Sequence, residues 1–318
     1  MNIRENALTA YAHGVPEWVP SRRLDFNCIF PAPYIERYQG KETGVDGFGV
    51  GWTYESTIGA PMPTTGIILL DDVSRWKDVI HFPDLESIDW ETQAIIDMAN
   101  CDKDKLNVAI SINGVFERMH ACMGMENAMC SLLTDPEASY EFASAIADHK
   151  IRMIEKLARH YEFDVFNGHD DYGTNDNLFM SPDLWRQFFK PQLKRIVDAA
   201  HDHGLLYQHH SCGYFEPIVP DLIEIGVDAL DIWQVCNKNM RQLKDQYQDV
   251  LTFCGGFDNQ GVFDRDGATF QDYYDETARV LRLMAPGGSY IAFTISAKFE
   301  FFPAFNLAVD NIGKLIYR

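Results

Sequence analysis

The sequence predicts an α/β chain folded as a single (β/α)8 barrel over residues 1–318, with an irregular N-terminal segment lying over the barrel mouth. Three observations lead there. Short apolar strands alternate with longer amphipathic helices, the helices stop at glycine just before the next strand, and no G-x-G-x-x-G or phosphate-loop motif follows a strand. Repeated helix–Gly–strand units join parallel strands through right-handed crossovers, and about eight of them in ~300 residues suit a closed barrel better than an open sheet.

Strands are expected at 25–29, 66–70, 108–112, 164–168, 205–209, 229–233, 251–255 and 290–294, each apolar and bounded by Gly, Pro, Asp or Asn. Asp135-Pro136-Glu137 supplies an N-cap, a proline in the first turn and an acid at the positive helix end, so a helix should run to about residue 161. Ser181-Pro182-Asp183 repeats the signal for a helix ending at His203-Gly204. Two more helices, 214–225 and 269–284, end at Gly226 and at Pro286-Gly287-Gly288. The first hundred residues are less regular, with Trp52, Tyr54 and Met62 set among glycines and prolines.

Composition removes some classes of partner. Lys and Arg number 27 against 47 Asp and Glu, a net charge of −20, and such a surface repels phosphate backbones and anionic headgroups. Neither nucleic acid nor membrane is an expected partner. Seven scattered cysteines without a C-x-x-C pair read as reduced thiols. With no apolar signal core at the start and no 18-residue apolar run, the expectation is a soluble cytoplasmic protein.

In a parallel barrel the chemistry sits where strands end and helices begin. His210-Ser211-Cys212 falls at such an end, and imidazole and thiolate two residues apart can reach one Zn²⁺; the alternative is a pair that packs without metal. Cys254, two strands on, is a third candidate ligand or simply a buried thiol. Cys122 and Cys130, among methionines, read as core. Asp170 and Asp171 follow an apolar strand, and adjacent extended residues point in opposite directions. One should face the pocket, where burial and a like charge raise its pKa toward general-acid range; equally, one could cap a turn and the other be solvated. Asp171 and Glu117 are the candidate acids, although Arg118 or His120 could pair with Glu117. Asp170, Tyr172, His209 and Gln234 at strand ends, with Trp52 and Tyr54 from the aromatic N-terminal stretch, are the candidate substrate contacts; the two aromatics could also be core.

Taken in order, Gly168-His169-Asp170-Asp171-Tyr172-Gly173-Thr174, Met180-Ser181-Pro182, Phe189-Lys190-Pro191, His210-Ser211-Cys212-Gly213, Leu222 to Asp228 and Gly255-Gly256-Phe257-Asp258 resemble the uroporphyrinogen decarboxylase superfamily, which includes cobalamin-dependent methyltransferases. The resemblance implies the barrel fold. The stretch Val19-Pro20-Ser21-Arg22-Arg23-Leu24-Asp25 lacks the spaced arginines with which decarboxylases of that family hold a polycarboxylate. The pair His210 and Cys212 matches the methyltransferase branch, whose zinc members carry a late cysteine that 291–297 lacks here. The resemblance therefore implies methyl transfer from a small methoxylated or methylated donor to a corrinoid protein that carries cobalamin; if zinc binds at His210 and Cys212, Cys254, Glu117 or an Asp must complete its shell. Uroporphyrinogen decarboxylation and a non-catalytic small-molecule-binding barrel are the alternatives.

Overall fold

The computed structural model describes residues 1–31, 36–56, 59–296 and 298–318. Among the described residues ten strands form two sheets: β1 (Phe26–Ile29), β2 (Gly44–Val45), β3 (Gly51–Glu55), β4 (Ala60–Pro63), β5 (Leu106–Ser111), β6 (Val165–His169), β7 (Leu206–His210), β8 (Ala229–Trp233), β9 (Thr252–Gly255) and β10 (Tyr290–Ile291). The larger sheet is parallel, in the order β1-β5-β6-β7-β8-β9-β10. It curls until its edges approach. A parallel bridge, Ser21 to Ala292, joins them, with Arg22 N–H donating to Ala292 O at 3.0 Å and Ala292 N–H to Pro20 O at 2.8 Å.

The α/β class and parallel order are as expected, but the described residues hold seven parallel strands where eight were predicted. The missing one is 66–70. Ile67 and Ile68 are exposed, and the N–H groups of Leu69 and Leu70 both donate to Cys122 O on a helix, so no ladder forms. An apolar run can satisfy its backbone on a helix end as well as on a strand, and composition does not distinguish the two.

The helix caps form where the sequence places them, with one difference. Asp135 accepts from Ala138 N–H and Pro136–His160 follows. Thr269 and Asp272 cap Phe270–Met284 reciprocally. The expected helix from Ser181 to Gly204 is two helices, Pro182–Phe188 and Lys190–Asp202, because Pro191 has no N–H to continue the first.

Apolar side chains fill two regions. The larger lies between the sheet and its outer helices. The smaller lies inside the curl, where Phe26, Leu106, Val108, Val165, Ala229, Cys254 and Ile291 meet Ala7, Ala10 and Tyr11 of the first helix, Ile3–Tyr11. That helix plugs the amino ends of the strands, leaving the carboxyl ends open.

Over the open end sits the smaller sheet, antiparallel β2-β3-β4. Its anchor is Asp46, which accepts from the N–H groups of Phe48 and Val50, from Trp52 Nε1–H at 2.9 Å, and from Arg118 Nη1 at 2.7 Å. Both members of the Asp46–Arg118 pair are fully buried. Glu36 is held alongside by Lys150 and by Ser111 at 3.2 Å. Among the described residues, no helix is long and apolar enough to cross a membrane.

Removing one partner of a buried ion pair strands the other charge. Arg118→Met should therefore lower the unfolding free energy by about 3–5 kcal/mol, read from urea denaturation. A loss below about 1 kcal/mol would show that Asp46 alone holds the segment.

Candidate active site

Strand register builds the site. In the β6–β7 ladder His169 stands opposite His210, and in β7–β8 His210 stands opposite Asp231. The two imidazoles stack with centroids 3.9 Å apart. His210 Nδ1 lies 3.5 Å from Asp231 Oδ2, and its Nε2 lies 3.5 Å from Cys212 Sγ and 3.8 Å from Asp171 Oδ1. Asp171, His210 and Cys212 thus present ligand atoms all within 4.8 Å of one another, as do His169, His210 and Asp231.

The loops carrying these residues are clamped. Cys212 N–H donates to Asp171 Oδ1 at 2.6 Å, and Tyr214 N–H to Thr174 O at 2.7 Å. Gly213, at φ +80°, passes so near Gly173 that a β-carbon would lie 2.2 Å from its carbonyl oxygen. Only glycine fits that crossing.

Asp170 and Asp171 do point apart, as extended neighbours must, and their roles differ. Asp170 is buried and accepts from Phe116 N–H at 3.1 Å, Glu117 N–H at 2.8 Å and Tyr172 Oη–H at 2.7 Å. It caps the helix Val115–Met123 from a neighbouring strand, and Gly114 leaves room for it, since a β-carbon there would lie 2.3 Å from Asp170 Cβ. Burial pushes its carboxyl up to about 6 against those three donors. Asp171 faces a cleft of about 640 Å³ shared with Glu117, His169, His210 and Cys212. One carboxylate oxygen of Glu117 is buried without a hydrogen bond among the described residues, and burial, followed by Asp171 and Asp170, holds its carboxyl well above the usual range. Arg118, a suggested partner for Glu117, is taken by Asp46 instead.

Behind His210 lies a neutralising residue that no local sequence signal selects. Arg22, beside the edge of the sheet, forms a buried ion pair with Asp231 and also donates to Asn167. Burial would raise the Asp231 carboxyl, yet Arg22 and His210 hold it well below its ordinary value. Burial disfavours charge on His210, but Cys212 and Asp231 together raise its proton affinity.

Several predicted contacts fall elsewhere. Cys254 is fully buried inside the curl, with Asp231 and Arg22 as its electrostatic neighbours, and it joins neither potential ligand group. A strand-end position fixes which end of the sheet a side chain is near, not its depth. Trp52 is buried with its indole on Asp46. Tyr172 is buried with its hydroxyl on Asp170, and His209 is buried between the rings of Tyr172 and Tyr207, where burial drives its pKa to about 3. Gln234 accepts from Gly213 N–H and lines a separate small cavity. Tyr54 does line the cleft, with Phe30, Arg37 and Lys41.

Residues 42–294 match the uroporphyrinogen decarboxylase (URO-D) family, and the chain belongs to it. Among solved structures, a methyltransferase from Methanosarcina mazei has the same fold, with a TM-score of 0.71 at 14% identity over 98% of this chain and 99% of that one. An endo-1,4-beta-xylanase from Caldicellulosiruptor owensensis aligns over 67% of this chain and 70% of its own, at 12% identity and a TM-score of 0.34. No curated protein matches this chain.

If Asp170 is a helix cap, its loss is a stability defect. Asp170→Ala should lower the unfolding free energy by about 2 kcal/mol in urea denaturation, through three lost hydrogen bonds to a charged acceptor. Asp170→Asn, which keeps an acceptor, should lose less.

Proposed function

We propose that the protein is a methyltransferase that takes a methyl group from a small methoxylated or methylated donor and delivers it to a corrinoid protein. The observation that carries this reading is the convergence of Asp171, His210 and Cys212 on the floor of the cleft. Their chemistry fits zinc. Bonds of about 2.0 Å to nitrogen and about 2.3 Å to sulfur at a tetrahedral centre set those ligands ~3.5 Å apart, and His210 Nε2 and Cys212 Sγ are 3.5 Å apart. Asp231 behind Nδ1 is the carboxylate that orients a ligating imidazole. When bound, zinc supplies Lewis-acid stabilisation of charge on the atom that loses the methyl group.

The chain's own residues do the rest. Asp231, anchored by Arg22, favours the proton on Nδ1 of His210 and leaves Nε2 turned toward Cys212. Asp171 is steadied by the Cys212 N–H. Glu117, buried in the cleft wall with a raised carboxyl pKa, keeps a proton to give to the departing oxygen or nitrogen. Tyr54, Pro61 and Ile112 offer the donor an apolar wall. At the rim, Phe30, Ile295 and Phe299 are 56%, 45% and 70% exposed, apolar area suited to burial against the partner that carries the corrinoid acceptor.

The fold relationship to a methyltransferase supports this choice over decarboxylation of a multiply carboxylated tetrapyrrole. So does Arg22, whose charge is already spent on Asp231.

Three measurements test it. Purified protein should carry zinc close to stoichiometric, and a His210→Ala/Cys212→Ala double variant should lose it; equal, negligible zinc in both removes the metal. With reduced corrinoid protein and a panel of methoxylated aromatics and methylamines, methylcobalamin absorbance should rise; turnover of uroporphyrinogen without cobalamin methylation would select the decarboxylase. Glu117→Gln should lower kcat by about 10²–10⁴-fold with little change in KM, the signature of a proton donor acting in the transition state.

A further inference from the structure

A second cavity, of about 40 Å³, lies among the loops that follow β6, β8 and β9. Four of its eight lining residues, Asn175, Gln234, Asn259 and Gln260, are carboxamides, so it is built of groups that hydrogen-bond without carrying charge. Gln234 ties it to the candidate active site, because its Oε1 accepts from Gly213 N–H at 2.7 Å, one residue beyond Cys212. Asn175 does so from the facing loop, next to Thr174, whose carbonyl accepts from Tyr214 N–H.

The two less exposed amides are oriented by their oxygens. Asn259 is buried, and its Oδ1 accepts from Thr294 Oγ1–H at 2.7 Å. Gln234 Oε1 is likewise taken, by a backbone N–H, so in each amide the nitrogen is the free end. Among the described residues neither Gln234 Nε2 nor Asn259 Nδ2 has a hydrogen bond. Asp258 supplies the opposite character. Its Oδ1 accepts from Gly261 N–H at 2.7 Å, and among the described residues its Oδ2 has no hydrogen bond. On the measure by which one water needs ~10–15 Å³, the cavity holds about three heavy atoms. A carboxylate there would meet the like charge of Asp258, and an ammonium would leave both N–H2 groups without an acceptor. A primary carboxamide has an acceptor and a donor on three heavy atoms and satisfies both.

We propose that this cavity takes a primary carboxamide at the rim of the partner's corrin ring, its oxygen held by Gln234 Nε2 and Asn259 Nδ2 and its N–H2 by Asp258. This deepens the methyl-transfer reading and rests on it for the source of the carboxamide, since a corrin carries acetamide and propionamide side chains around its edge. The device has a purpose. A flat macrocycle seated by apolar contact alone is free to turn in its own plane, whereas one rim amide held beside the Cys212 loop fixes that rotation and with it the approach of the metal to the methyl group. Asn175 and Gln260, both exposed, extend the same amide chemistry to solvent. A rim group without N–H would leave Asp258 unmatched, so the cavity discriminates as well as binds.

Binding can be measured apart from turnover, so failure of the cavity and failure of the methyl-transfer reading are separable. Absorbance titration of the full chain would compare dicyanocobinamide, which keeps its primary carboxamides, with dicyanocobyrinate heptamethyl ester in matched cosolvent. The cobinamide should bind at least about tenfold more tightly. Gln234→Glu and Asn259→Asp each keep the oxygen that Gly213 N–H or Thr294 uses and replace the free N–H2 by an acceptor. Each should weaken the cobinamide by about tenfold or more and leave the ester little changed. Thermal unfolding checks both variants; if Asn259→Asp unfolds, Gln234→Glu, at a half-buried position, carries the test. Equal affinity for the two corrins, no binding of cobinamide, or an unchanged preference in the folded variants would overturn the cavity, even where the corrinoid protein is methylated. Acetamide bound as tightly as cobinamide would assign the cavity to a small free carboxamide and overturn the corrin source. Amide-dependent corrin binding that the variants lose upholds the proposal, even where no methyl group is transferred.

Discussion

The register of three neighbouring parallel strands is the constraint on which the site depends. His169, His210 and Asp231 occupy one row across β6, β7 and β8, and the ladder continues past the strand ends through Asp170 N–H to His210 O and Ser211 N–H to Asp231 O. A slip of one residue in β7 would turn His210 out of the curl and put His209 in its place. The row also explains why an aspartate sits in the fully buried strand β8: Arg22, delivered where the two edges of the sheet meet, neutralises it. Closing the curl and charging the site are one event.

The same backbone regularity divides the labour of two adjacent acids. Asp170 turns outward and supplies the negative charge that the helix Val115–Met123 requires at its amino end. Asp171 turns to the cleft. Because the capped helix carries Glu117 in its first turn and Arg118 in the next position, one hydrogen-bonded carboxylate places both a cleft acid and the anchor of the N-terminal sheet. Structural and chemical residues are therefore interleaved one by one along the chain, and a substitution at Asp170 reaches the cleft through packing.

The antiparallel segment over the mouth does more than exclude water. It brings Tyr54, Arg37 and Lys41 to a cleft whose floor is otherwise acidic, and it is tied down by ion pairs at Asp46 and Glu36 that are buried away from solvent ions.

Much of this was legible in the sequence. Strand periodicity, helix caps and glycine stops located seven of eight proposed strands, and the strand-end rule selected Asp171, His210, Cys212 and Glu117, all of which line one cleft. Those signals are local, set by backbone geometry within a few residues, so a sequence displays them directly. Depth, pairing and closure are not local. That Asp171 and not Cys254 stands beside His210, that Arg22 and Asp231 pair across 209 positions, that His209 is sealed between tyrosines, and that Arg37 lines the same cleft as Asp171 were decided only when the sheet curled and the N-terminal segment folded over it. The physical reason is that a side chain's direction follows from its own backbone, whereas its partner is whichever group the tertiary fold brings within a few ångströms.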